Sequence, residues 1–248
     1  MSGHSKWHNI KLKKGKVDAQ RGALFTKLSK EIILAAKNGS PDPDANYRLK
    51  MAVDKARENN MPQDNIKRAI ARASGGAGEK EIEEIRYEGY GPAGVAVIVD
   101  AATDNRNRTA SEMRFLFSRN DGNLGETGSV GWMFASRGVI EVDAAGLDED
   151  ALTEKALVDG VIDVRFNDGG PAEIVTEPTA LMAVKDELEA AGLKVRSAQL
   201  AMEATQTAQP GADAMKVLTF LDALEEHEDV QRVFSNAEFD EAQLEALA

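Results

Sequence analysis

The chain has no cysteine. That excludes disulfides, thiolate catalysis and thiolate-ligated zinc, and it fits a reducing compartment. Histidine occurs 3 times in 248 residues, too rarely for a histidine-rich metal or acid–base centre. No stretch approaches the roughly 18–20 consecutive apolar residues that a bilayer-spanning helix needs. The start is polar and lacks the apolar segment of a secretory signal. These absences predict a soluble, intracellular protein with no membrane partner, and the basic, amphipathic start also reads as an organelle transit peptide. Aromatics are only 5% of the chain, yet hydrophobic residues reach 42%, enough for genuine cores.

Charge is plentiful and unevenly divided. Residues 1–80 carry 17 Lys+Arg against 8 Asp+Glu, a formal +9. The other 168 residues carry 13 basic and 34 acidic side chains, a formal −21, and the two parts together make the −12 of the whole. A basic head on an acidic body attracts polyanions at one end and repels them at the other. That pattern predicts a nucleic-acid partner held by the head.

Residues 1–18 form a basic tail in which Trp7 and Ile10 are unusual for a purely solubilising segment. Three helical patterns follow. Residues 19–37 place Leu24, Leu28, Ile32 and Ala35 on one face, and Asn38-Gly39 stops the run. Asp42-Pro43 reads as an N-cap with Pro at the first helical position, ahead of Leu49, Ala52, Val53 and Ala56. A third helix begins at Pro62 and turns Ile66, Ala69, Ile70 and Ala73 inward. The cations from Lys27 to Arg72, including Lys30, Lys37, Arg48, Lys50, Lys67 and Arg68, read as the outer faces of this bundle. Gly75-Gly76-Ala77-Gly78 reads as a hinge.

Beyond the hinge the period turns to β structure. Residues 85–87 and the run GVAVIVDA (94–101) read as strands. Thr109 and Glu112 read as a capping box, and Val130–Phe134 as another strand. Residues 138–204 then give the order β-α-β-β-α-β, the ferredoxin-like order. A last helix (212–225) and strand (230–236) can complete the sheet begun at residue 85. The predicted fold class is α+β multidomain, an N-terminal helical bundle followed by two α/β ferredoxin-like domains, the third inserted in the second. The boundaries are 1–78, then 79–136 with 205–248, and 137–204 as the insert.

Few motifs carry chemistry. Residues 89–94 spell G-x-G-x-x-G, but a strand pattern follows where a dinucleotide site needs a helix, so they read as a turn. His4 and His8 stand four apart without a third ligand nearby, and His227 lies in an acidic run and reads as a solvated surface residue. Carboxylates are abundant, but nothing marks an acid–base pair or a calcium loop. Asp104–Thr109 (DNRNRT) reads equally as a capped helix start and as an arginine pair, Arg106 and Arg108, able to meet phosphate. No cofactor, metal site or catalytic group is predicted, and the chain is expected not to be an enzyme.

Several long segments in order carry a family resemblance. The start GHSKWHNIK (3–11), ALFTKL (23–28), MPQDNI (61–66), YEGYGP (87–92), TDNRNRT (103–109) and GNLGETGSVGWMF (122–134) resemble the YebC/PmpR family, which includes mitochondrial translational activators. The basic run 12–17 differs somewhat from that of many members, with its charge retained. The resemblance implies three domains and a cytoplasmic, non-enzymatic regulator of gene expression. Bacterial members are described as transcriptional regulators that bind DNA. Others associate with ribosomes and ease synthesis of difficult stretches such as proline runs. Carried onto this chain, nucleic-acid contacts fall on Lys6, Trp7, His8, Lys11, Lys13, Lys14, Lys16, Arg21 and Lys27, and the arginine pair read above, Arg106 and Arg108, adds secondary candidates. The expected partner is DNA or rRNA, the latter on the ribosome, and the expected state is monomeric. Trp7 and the histidines could stack on unpaired bases.

Overall fold

The computed structural model describes residues 19–73, 80–144, 146, 148–166, 170–240 and 243, with side chains from residue 22 onward. The basic tail and the glycine hinge therefore lie outside the described residues.

Helices α1 (Ala19–Lys37), α2 (Tyr47–Glu58) and α3 (Gln63–Ala73) form the head. Their apolar stripes meet in a core of Leu28, Ile32, Ile33, Leu49, Val53, Ile66 and Ala69. That core does not close on itself. Ile82 and Ala102 from the following segment complete it, so the head is packed onto the body. The start of α2 differs from the predicted one at Asp42-Pro43. Asn46 is the cap: its side-chain oxygen accepts from the Leu49 N–H, and its amide donates to the Ala35 and Ser40 carbonyls. An amide that ties three backbone groups at once outcompetes a carboxylate placed four residues earlier.

The first sheet has the order β3-β1-β2-β8, all antiparallel, from β1 (Glu83–Tyr90), β2 (Ala96–Thr103), β3 (Asn123–Leu124) and β8 (Val230–Ser235). Strand β2 is apolar without alternation because both its faces are covered. Val97 and Val99 face Met113 and Phe117 of α4 (Arg106–Arg119), and Phe220, Leu221 and Leu224 of α7 (Ala214–Glu226). Ala96 and Ile98 face Phe134 and Phe234 on the other side. β1 and β2 are joined by the tight turn at Pro92–Gly94, where Ala93 (φ 56°) and Gly94 (φ 72°) adopt left-handed backbone. The G-x-G-x-x-G segment is thus a hairpin turn. With no room for a helix between β1 and β2, this sheet starts as a hairpin and departs from the predicted ferredoxin-like chain order.

The second sheet has the order β5-β6-β4-β7, again antiparallel, from β4 (Phe134–Val142), β5 (Val161–Arg165), β6 (Ala172–Thr176) and β7 (Val195–Ala204). Helices α5 (Glu149–Lys155) and α6 (Leu181–Ala190) cover it, burying Leu152, Val184 and Leu188 against Ile140 and Ile174. Phe134 together with Met202 and Ala204 of β7 packs into the first sheet's outer face.

The predicted strand at Val130–Phe134 is instead a short 3-10 turn, Gly131–Met133, leading into β4. The physical reason is Glu88. Its buried carboxylate accepts N–H bonds from Gly128 (3.0 Å), Val130 (3.0 Å) and Gly131 (2.7 Å), which curls residues 128–131 around one anion. Burial raises the Glu88 pKa, but these three donors outweigh it and hold the carboxyl below its ordinary value. Glu88→Gln is expected to cost about 1–3 kcal/mol, since an amide cannot accept all three bonds. Urea denaturation of the variant checks this, and a loss below about 0.5 kcal/mol would refute the anchoring role of Glu88.

Candidate nucleic-acid interface

The head is held to the body by opposite charge. Lys27 and Lys30 lie three apart on α1 and point at the C-terminal end of α7. Lys27 Nζ donates to the Glu225 carbonyl, and Lys30 Nζ donates to the Glu228 carbonyl (3.1 Å) and the Asp229 carboxylate. Ammonium groups suit that end because its last carbonyls have no partners within the helix. Further out, Lys37 pairs with Glu81 and Arg48 with Glu84. Four cations predicted on the outer face of the bundle therefore face the acidic body, because the bundle core continues into Ile82 and Ala102 and brings that face down. The inserted sheet reaches the head too: Lys185 of α6 lies 4.7 Å from the centre of the Tyr47 ring on α2. Burial there pushes the Tyr47 hydroxyl up to about 12.

Asp229 is the centre of this junction. Its side chain is 0% exposed. It accepts from Lys30, from Arg108 Nη2 (2.9 Å) and from Thr109 Oγ1 (2.7 Å), while its own carbonyl accepts from the Ala102 N–H (2.7 Å). Burial alone would raise its pKa, and the bonds from Lys30, Arg108 and Thr109 reverse that and lower it to about 2. Thr109 therefore does not cap α4. Asn105 does, accepting from the Arg108 N–H (3.2 Å), and this frees the Thr109 hydroxyl to turn inward.

His227 is not a solvated surface residue as its acidic neighbours imply. Its side chain is 14% exposed, its Nδ1 accepts from the Asp229 N–H (3.1 Å), and its Nε2 lies 3.0 Å from Glu112 Oε2. With Nδ1 accepting, the ring proton sits on Nε2 and points at Glu112. Glu112, His227 and Asp229 lie close enough to hold a metal ion, but Lys30 and Arg108 already bring to Asp229 the positive charge that a cation would supply.

Beside the junction lies a cavity of about 350 Å³ lined by Thr26, Ser29, Lys30, Arg72, Asp104, Arg108 and Glu228 over Ile33 and Ile82. It shares Ser29, Ile33 and Arg72 with a groove of about 560 Å³ between α1 and α3 that adds Asn65 and Arg68. The predicted contacts Lys6, Trp7, His8, Lys11, Lys13, Lys14 and Lys16 lie outside the described residues, and Arg21 lies in α1 with its side chain outside them. Lys27 is engaged with α7. Arg106 is exposed at the start of α4, whereas Arg108 is drawn to Asp229. No local sequence signal groups the groove residues Ser29, Asn65 and Arg68, because they come together only when α1 and α3 pack.

Residues 5–76 match the family described as the TACO1/YebC protein N-terminal domain, and residues 82–237 match its second and third domain. Relatives described as "Probable transcriptional regulatory protein" span the chain. One from Natranaerobius thermophilus is 49% identical over 99% of both chains. One from Trichlorobacter lovleyi is 50% identical over 100% of both. One from Bordetella petrii is 51% identical over 98% of this chain and 100% of its own. The crystal structure of a conserved hypothetical protein from Aquifex aeolicus is similar, with a TM-score of 0.83 and 45% identity, over 92% of this chain and 94% of that one. Among the described residues no helix is long and apolar enough to cross a membrane.

Proposed function

The chain belongs to the TACO1/YebC family, and from that premise we propose that it regulates gene expression by binding nucleic acid with its basic head, without catalysing a reaction. The relatives' descriptions as transcriptional regulators favour DNA as the target. The observation that carries the reading is the charge division. Part of the head's charge is turned inward to the body, but Lys50, Lys67, Arg68 and Arg72 remain exposed on the helical bundle, and the tail adds Lys6, Lys11, Lys13, Lys14 and Lys16. The acidic body keeps a polyanion at that end.

Ultraviolet crosslinking in cells, followed by sequencing of the attached DNA and RNA, tests the target. Enrichment of promoter DNA supports the transcriptional reading. Discrete rRNA sites would replace it with a ribosome-associated one, and background alone would remove both. In vitro, Lys11, Lys13, Lys14 and Lys16 replaced together by Ala should weaken duplex binding at least about tenfold near 0.1 M salt. The slope of log K against log salt should flatten by about 3–4, at roughly 0.9 per lost phosphate contact. An unchanged slope would remove the tail from the mechanism.

A further inference from the structure

We infer that the groove between α1 and α3 binds a single-stranded nucleic-acid segment, with phosphates on Arg68 and Arg72 and one nucleoside in the inner cavity. This rests on the nucleic-acid reading above and names the place and form of the ligand.

Shape and charge both support it. The site is concave, so the edge of a stacked, paired base cannot enter it, whereas an unstacked nucleotide can. Its two compartments differ in charge. The outer groove is lined by Arg68, Arg72, Ser29 and Asn65, with no carboxylate among its described lining residues. Arg68 is held in place by Asn65 Oδ1 and the Asp64 carbonyl. Both partners are neutral, so its charge is not cancelled, and a guanidinium has five donors, leaving others for phosphate. The inner cavity sets Asp104 and Glu228 against Lys30, Arg72 and Arg108, and two of these cations, Lys30 and Arg108, are already paired with Asp229. Charges at that end nearly balance, so it attracts phosphate less than the outer groove does. It offers acceptors for sugar hydroxyls and exocyclic amines, and the apolar walls of Ile33 and Ile82 for a base. A volume of about 350 Å³ lies at the small end of ligand pockets, fitting one nucleoside. The charge step orients the strand, backbone outward along α3 and one base inward.

The test uses the full chain and a fluorescein-labelled dodecamer, as single-stranded RNA, single-stranded DNA and duplex DNA, followed by fluorescence anisotropy across salt. Arg68→Gln with Arg72→Gln should weaken single-strand binding about tenfold or more and flatten the salt slope by about 1.4, at roughly 0.7 per phosphate. Duplex binding should change far less. The Arg68→Lys, Arg72→Lys variant, which keeps the charge, should restore the slope and guards against a folding artefact. With 4-thiouridine in the RNA, crosslinked peptides should contain Ser29 or Arg72. Single-strand binding unaffected by the glutamine pair, with crosslinks confined to residues 1–18, would overturn the groove while leaving the proposed function standing. Failure of the unaltered protein to bind any of the three probes would overturn both.

Discussion

Asp229→Asn is expected to destabilise the protein by about 3 kcal/mol or more and to loosen the head from the body. The carboxylate is fully buried, and removing it leaves Lys30 and Arg108 facing each other without the anion that binds both. Breaking one partner of a buried ion network typically costs about 3–5 kcal/mol. Lys30 is 12% and Arg108 38% exposed, and their partial hydration places the expectation at the lower end. The pH dependence has a definite sign. The folded carboxyl titrates at about 2, against an ordinary value of 3.8. Stability from this group is therefore fully present above about pH 4 and is lost as pH falls toward 2, a change of about 2 kcal/mol. Urea denaturation of both proteins between pH 2 and pH 7 checks both statements. The variant should be weaker at neutral pH and should lack this acid limb. Equal stability at pH 7 would show that the junction does not depend on Asp229.

The second large effect lies in the first sheet. Phe220 is fully buried, meets Phe117 edge to face at 4.9 Å and 78°, and covers the backbone of Gly91. A Cβ built on Gly91 would lie 2.6 Å from the Phe220 ring. Phe220→Ala is expected to cost about 3–5 kcal/mol as a cavity. Gly91→Ala should cost about 1–3 kcal/mol, and for steric reasons alone, because Gly91 has φ −87°, which alanine accepts. The two sites touch, so their effects should not add. In the double variant the cavity takes the new methyl group, and the total loss should fall below the sum by about 1 kcal/mol. Additive losses in chemical denaturation would show that Phe220 does not enforce glycine at position 91.

Much of the fold was legible because its signals are local. The stripe through Leu28 and Ile32, the unbroken run of β2 and the helix–strand alternation of residues 138–204 each follow from a few neighbouring residues. The start of α2 and the turn before β4 differ from their local patterns for the opposite reason. Asn46 is selected as a cap by its reach to Ala35 and Ser40, and residues 128–131 are curled by Glu88, some forty positions earlier. The candidate site was less legible still. In the run Glu225-Glu226-His227-Glu228-Asp229 all four carboxylates look alike and solvated. One becomes the buried centre of the head–body junction because α1 and α4 close over it.

Composition and short-range period alone settle the absence of cysteine chemistry, the split of charge between head and body, the types of the long helices and strands, and the motif string that marks the family. Which cations face inward and which stay outside depends on long-range packing, since Lys27 and Lys30 differ from Arg68 in what packs against their helix. That packing also decided the groove between α1 and α3. Burial and pairing are properties of surfaces brought together from distant parts of the chain, and no local pattern encodes which surfaces will meet.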